Sequence, residues 1–120
     1  MRVIPGAPHS QRIECRTPGA DANPYLSMAC LLGAGLWGIE HGIEPSAEST
    51  GNVYTQEIPE ALAFPATFGA AIERFAASRA ARDLFGDGFV DFFAQSRASQ
   101  EASFRGLVTD AELERFFEFI

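Results

Sequence analysis

Hydrophobic and polar positions change their period along this chain. Arg12-Ile13-Glu14-Cys15-Arg16 alternates strictly, which is the period of a β-strand. A strand there places Arg12, Glu14 and Arg16 on one face and Ile13 and Cys15 on the other. Pro5, Gly6 and Pro8 interrupt the chain before it, and Thr17-Pro18-Gly19 ends it. Only a short strand or hairpin fits this N-terminal stretch.

Helical signals come next. Asn23-Pro24 has the form of a helix start, with Asn as N-cap and Pro at the first helical position. The helix is predicted to run to about His41 and to stop at Gly42. Residues 24–39 carry no charge and include Leu26, Met28, Leu31, Leu32, Leu36 and Trp37, interleaved with Ala29, Gly33, Ala34, Gly35 and Gly38. A helix apolar on every side is either buried or in a membrane. This run falls short of the roughly 20 apolar residues that cross a bilayer. Small residues also let neighbouring backbones approach, so a buried helix is expected.

Residues 43–63 are rich in Pro, Ser, Gly and Asn and predict a long loop. The remainder predicts three or four shorter amphipathic helices around the long one. Thr67 caps one that carries Phe68, Ala71, Ile72 and Phe75. A short helix covers about 80–85 and ends at Gly86. Asp87 is expected to cap a longer helix with Phe89, Val90, Phe93 and Phe104. Thr109 and Glu112 have capping-box spacing before Leu113, Phe116, Phe117 and Ile120. The fold class is therefore α+β, predominantly α, in one domain spanning 1–120. The phenylalanines at 85, 89, 92, 93, 104, 116, 117 and 119 are expected to pack in a core or interface.

Composition narrows the function. A formal charge of -7 disfavours nucleic acid and anionic membranes, which select basic patches. Cys15 and Cys30 stand alone, too few for a disulfide-stapled domain or a tetrahedral zinc site, and fit reduced thiols in the cytoplasm. All nine basic residues are arginine, which reads first as a compositional bias. His41 at a helix end fits a structural role.

The alternating strand is the one place where residue types suggest chemistry. Two arginines flanking a carboxylate can form an exposed ion-pair ladder. The same set suits a triphosphate, a divalent metal or a carboxylate ligand, because Arg grips such anions bidentately and Glu gives magnesium a hard oxygen.

Together with residues 22–26, this strand resembles the glutamine synthetase family. There an R-I-E-x-R strand leads into an A-N-P-Y-L helix start, matched by Arg12-Ile13-Glu14-Cys15-Arg16 and Ala22-Asn23-Pro24-Tyr25-Leu26. The likeness continues through Leu36-Trp37-Gly38-Ile39-Glu40, Gly51-Asn52-Val53-Tyr54, Phe64-Pro65-Ala66-Thr67-Phe68 and Arg82-Asp83-Leu84-Phe85-Gly86 to the closing segment. Pro18-Gly19-Ala20-Asp21-Ala22-Asn23-Pro24-Tyr25 is closer in wording to the branch of γ-glutamyl-polyamine and related ligases. Near the end, Ala111 stands where the family usually has Trp.

The resemblance implies an ATP- and Mg2+- or Mn2+-dependent ligase that joins ammonia or an amine to the γ-carboxylate of glutamate. It implies that Glu14 binds metal, that Arg16 faces the substrate glutamate and the transferred phosphoryl group, and that Arg12 and Arg2 lie at the nucleotide phosphates. Val3-Ile4 sits where a single residue is usual, so the Arg2 match departs from the pattern. The family's domain also has a long upstream part with further metal-binding glutamates. A chain resembling only its C-terminal part is expected to be a truncated and inactive form. An alternative is a non-catalytic module that self-associates or docks on a full-length paralogue.

Overall fold

The computed structural model describes residues 1–119; Ile120, expected on the last helix's apolar face, lies outside them. The chain divides into two compact units, Met1–Ala47 and a second that begins at Glu48.

The first unit opens with an antiparallel hairpin of β1 (Arg2–Ile4) and β2 (Arg12–Glu14), in the register Arg2↔Glu14, Val3↔Ile13 and Ile4↔Arg12. The turn between them is tied by the Ser10 and Gln11 amides, both donating to the Ala7 carbonyl at 2.8 and 3.2 Å. The strand is shorter than the predicted 12–16. In this register Cys15 falls opposite Met1, and the ladder stops at Glu14.

Helix α1 (Pro24–Glu40) begins and ends where the sequence places it. Asn23 Oδ1 accepts from the Tyr25 and Leu26 amides at 3.0 and 3.2 Å. At the other end Gly42 has φ 61°. Its amide donates to the Ile39 carbonyl, and that of Ile43 to the Gly38 carbonyl, the paired bonds of a Schellman motif. A residue with a Cβ resists that left-handed backbone.

The expectation that α1 is buried is not met within this chain. None of its residues is buried, and Tyr25, Met28, Leu32, Leu36 and Ile39 are exposed. A helix apolar all round needs cover on several sides, and within this chain these residues stay exposed.

In the second unit the predicted loop contains two short 3-10 turns, Val53–Thr55 and Glu60–Leu62. Helices α2 (Phe68–Ala76), α3 (Arg79–Phe85), α4 (Asp87–Arg105) and α5 (Asp110–Phe116) complete it. Thr67 caps α2, its hydroxyl accepting from the Ala70 amide at 3.1 Å. Helix α3 starts at Arg79, with Ser78 as its cap.

Asp87 is not the cap of α4. That position belongs to Gly86, at φ 77° and ψ 154°, and Asp87 is the first helical residue. Its carboxylate instead accepts from Arg82 Nη1 at 2.7 Å, while Asp91 accepts from Nη2 at 2.9 Å and the Ala76 carbonyl from Nε at 2.9 Å. One guanidinium thus ties the end of α2 to the start of α4.

The core of this unit is small and aromatic. Val90 is fully buried, and Ala81 and Ala94 are buried as well. Phe75 meets Phe93 edge-on at 5.6 Å, Phe93 stacks on Phe89 at 5.6 Å, and Phe89 lies 5.5 Å from Phe85. Phe92, Phe104, Phe116, Phe117 and Phe119 are exposed, so the phenylalanines divide between a core and a free surface.

Candidate functional site

The hairpin brings together most of the residues singled out in the sequence. The pleat alone puts Arg12 and Glu14 on one face, two residues apart. The register adds Arg2, which stands directly across from Glu14.

Glu14 is the centre of the group. Arg16 Nη2 donates to its Oε1 at 2.9 Å, and Arg2 Nη1 lies 3.9 Å from its Oε2. Arg16 lies beyond the end of β2 but reaches back along the chain. Arg12 turns toward the hairpin loop, where its Nη1 donates to the Ser10 carbonyl at 3.2 Å. The hydrogen bond from Arg16 holds the Glu14 carboxyl below its ordinary pKa, with the charges of Arg16, Arg2 and Arg12 adding to the effect. Glu14 is therefore a carboxylate at neutral pH.

Three guanidinium groups around one carboxylate leave an excess of positive charge. Such a group suits a phosphate chain. Glu14 suits a magnesium or manganese ion as one hard oxygen donor. A divalent ion needs more donors, and among the described residues no three His, Cys, Asp or Glu side chains gather to hold one. The nucleotide phosphates fit the arginines, whereas the metal fits Glu14 as a single ligand of a larger set.

Cys15 is next to Glu14 in the chain, with its Sγ 3.0 Å from Thr17 Oγ1. Hydrogen bonding from the Thr17 hydroxyl and amide pushes the thiol below its ordinary pKa. His41 has its Nδ1 2.8 Å from the Trp37 carbonyl and its ring stacked on Trp37 at 4.0 Å, a helix-end arrangement.

A concavity of about 440 Å³ within the second unit is lined by Thr67, Glu73, Glu101 and Arg105 among others. Glu101 there is engaged by Arg105 at 2.8 Å. Among the described residues no helix is long and apolar enough to cross a membrane.

Sequence reasoning found Arg12, Glu14 and Arg16 from alternation. It placed Arg2 near phosphates and did not foresee its pairing with Glu14. The signal for that pairing was the register, which two three-residue strands separated by Pro and Gly do not reveal beforehand.

The match to known proteins covers nearly the whole chain. The family described as glutamine synthetase, catalytic domain, matches residues 1–116. A γ-glutamylethanolamide synthetase of Streptomyces coelicolor is 39% identical over 118 residues, 98% of this chain and 25% of that protein. A glutamate–isopropylamine ligase of a Pseudomonas species is 35% identical over 119 residues, 99% of this chain and 26% of its own length. A glutamine synthetase of Mycolicibacterium smegmatis is 34% identical over 124 aligned positions, covering 97% of this chain and 28% of that protein. This chain therefore spans about a quarter of the length of these curated relatives. No solved structure matches it. With a family match over residues 1–116, the chain belongs to the glutamine synthetase catalytic-domain family.

Proposed function

We propose that this chain carries the phosphate-facing hairpin of a ligase that uses ATP and Mg2+ or Mn2+ to join ammonia or an amine to the γ-carboxylate of glutamate. The observation that carries the reading is the Arg2–Glu14–Arg16 group on a hairpin with Arg12, inside a family match that covers almost every residue. The Streptomyces and Pseudomonas relatives are, by name, ligases or synthetases of glutamyl amides other than glutamine. Their names favour an organic amine over ammonia as the second substrate.

In this reading Arg12 and Arg2 neutralise the nucleotide phosphates. Arg16 orients the glutamate carboxylate and stabilises charge on the phosphoryl group in flight. Glu14 supplies one oxygen to a divalent cation. Phosphoryl transfer to a carboxylate, with phosphate then displaced by an amine, depends on positioning and charge neutralisation and uses no protein nucleophile. The free thiols of Cys15 and Cys30 suit the cytoplasm as the place of action.

Residues 1–120 alone do not complete such a site, because Glu14 is one donor where the cation requires several. Catalysis then needs donors from other polypeptide: a longer chain, a full-length paralogue or further copies. The exposed apolar face of α1, with Met28, Leu32, Leu36 and Ile39, favours a second reading in which the 120 residues self-associate.

One experiment tests both. The 120-residue chain is assayed for γ-glutamyl hydroxamate formation from glutamate, ATP, hydroxylamine and magnesium or manganese, with Glu14→Ala as control and light scattering alongside. No product above the control is expected from the chain alone, and light scattering is expected to show an oligomer at micromolar concentration. Product that disappears in Glu14→Ala would overturn the incompleteness of the site. A clean monomer would remove the self-association reading.

A further inference from the structure

The hairpin leaves one edge of each strand open. Its sheet has the order β1-β2, and among the described residues no third strand joins it. A two-stranded ribbon is marginal in water by itself, and an open edge is a ready template for another chain. Arg12 and Ile13 on β2 are exposed, as is Val3 across from Ile13.

We infer that β2 pairs, edge to edge and antiparallel, with β2 of a second copy of this chain, in the register that sets Ile13 opposite the partner's Ile13. The product is a sheet of strand order β1-β2-β2-β1 about a twofold axis, the same patch serving both copies. The inference takes up the self-association reading and gives it a surface that does not involve α1.

Charge selects this occupant. In that register Arg12 stands opposite the partner's Glu14, and Glu14 opposite the partner's Arg12. Within one chain the Arg12 guanidinium donates to the neutral Ser10 carbonyl at 3.2 Å, whereas Glu14 is held by Arg16 and Arg2. A carboxylate accepts at about four lone-pair positions, so Glu14 takes a further guanidinium without releasing the first two. One face of the sheet then runs Arg2, Glu14, the partner's Arg12 and the partner's Ile4 across the strands. The other face runs Val3, Ile13, the partner's Ile13 and the partner's Val3, a row of β-branched side chains that pack well across strands.

Neighbouring registers lack this fit. Pairing about Glu14 sets it against the partner's Glu14, and Arg12 against the partner's Arg16, so like charges meet. Pairing about Cys15 sets Arg12 against the partner's Pro18, which has no amide hydrogen to donate, and Ile13 against the partner's Thr17. The β1 edge carries Arg2, Val3 and Ile4, with no carboxylate to match its own arginine.

The test exchanges the two charges between copies. Arg12→Glu and Glu14→Arg are made separately, and a trace of chain dye-tagged at its C-terminus is titrated with untagged chain by fluorescence-detected sedimentation. Each variant is expected to associate with itself roughly tenfold more weakly than wild type, because two opposite-charge pairs become like-charge pairs. Mixed together, the carboxylates of one variant face the guanidinium groups of the other. The mixture should therefore return to within about twofold of the wild-type constant.

A wild-type measurement covers the case in which Glu14→Arg, which places a second guanidinium opposite Arg2, opens the hairpin. Isotope-filtered NMR on a mixture of 13C-labelled and unlabelled chains should show Ile13 methyl groups of one copy in contact with those of the other, and that contact sustains the inference without the variants. Absence of both the contact and the recovery on mixing would overturn the edge pairing and leave any association to α1. Self-association of Arg12→Glu as tight as wild type would overturn this register. A chain that stays monomeric would overturn the inference and leave the ligase reading, which the hydroxamate assay tests separately.

Discussion

The two units use apolar residues in opposite ways. In the first, α1 carries Met28, Leu31, Leu32, Leu36 and Ile39 and none of its residues is buried. In the second, Val90 is completely enclosed and four phenylalanines lie in contact. Helix α1 is defined by its ends, the Asn23 cap and the Gly42 Schellman motif. Helices α2 to α4 have caps too, but they also have one another. Apolar content thus says how much surface a segment can bury, and only the arrangement says whether this chain buries it.

The sharpest way to break the comparison is to place the same charge in each region. Val90→Asp puts a carboxylate where no solvent reaches, which should destabilise the second unit by more than about 4 kcal/mol. Leu32→Asp, at a position 68% exposed in the single chain, should change the stability of the dissociated chain by no more than about 1 kcal/mol. Urea unfolding at a dilution where the chain is monomeric, followed by circular dichroism and by the amide signals of α2 to α4, measures both. Similar losses for the two variants there would mean that α1 is covered within the single chain and that the contrast between the units is false.

Gly86 tests the second unit at its backbone. At φ 77° and ψ 154° it occupies a region essentially restricted to glycine, and a Cβ there meets no neighbouring atom. The strain is therefore purely conformational. Gly86→Ala should lower stability by about 1–3 kcal/mol, read from the same urea midpoint. A loss well below that range would show that α3 and α4 can join by another backbone path.

These positions also show how far the sequence could be read. The boundaries of α1, the Thr67 cap and the Thr109–Glu112 capping box were legible because each depends on residues within one turn. Asp87 was misassigned as a cap for a related reason. Local spacing favours Asp before a helix, but Gly86 provides the required backbone, and Arg82, five residues earlier, takes the carboxylate. The burial of α1 was misread because an uncharged helix announces a need for cover without saying whether its own chain provides it. At the hairpin, alternation made Arg12 and Glu14 visible as a face, with Arg16 just beyond the strand, whereas the Arg2–Glu14 pair depends on a register that no local signal fixes. The Arg82–Asp87 and Arg2–Glu14 pairs that stayed hidden both reach beyond a single helical turn of sequence.

The smallest expected effect concerns α5, where the terminus rests on one titratable group. Glu112 Oε2 accepts from the Thr109 amide at 2.8 Å and from its hydroxyl at 2.9 Å, while Thr109 Oγ1 accepts from the Glu112 amide at 3.3 Å. The hydrogen bond from the Thr109 amide, and after it that from the hydroxyl, holds the Glu112 carboxyl below its ordinary value of 4.5. A depressed carboxyl stabilises the folded form at any pH above the unfolded value, and that contribution is lost as pH falls through the folded value. Helix α5 should accordingly hold constant from neutrality to about pH 5 and then fray as the pH drops further. Backbone carbon shifts of Ala111 and Leu113 report the fraying directly. In Glu112→Gln the neutral amide can still accept from Thr109, so the helix should be weaker at neutral pH and its response to acid should disappear. An identical acid response in that variant would place the sensitive group elsewhere.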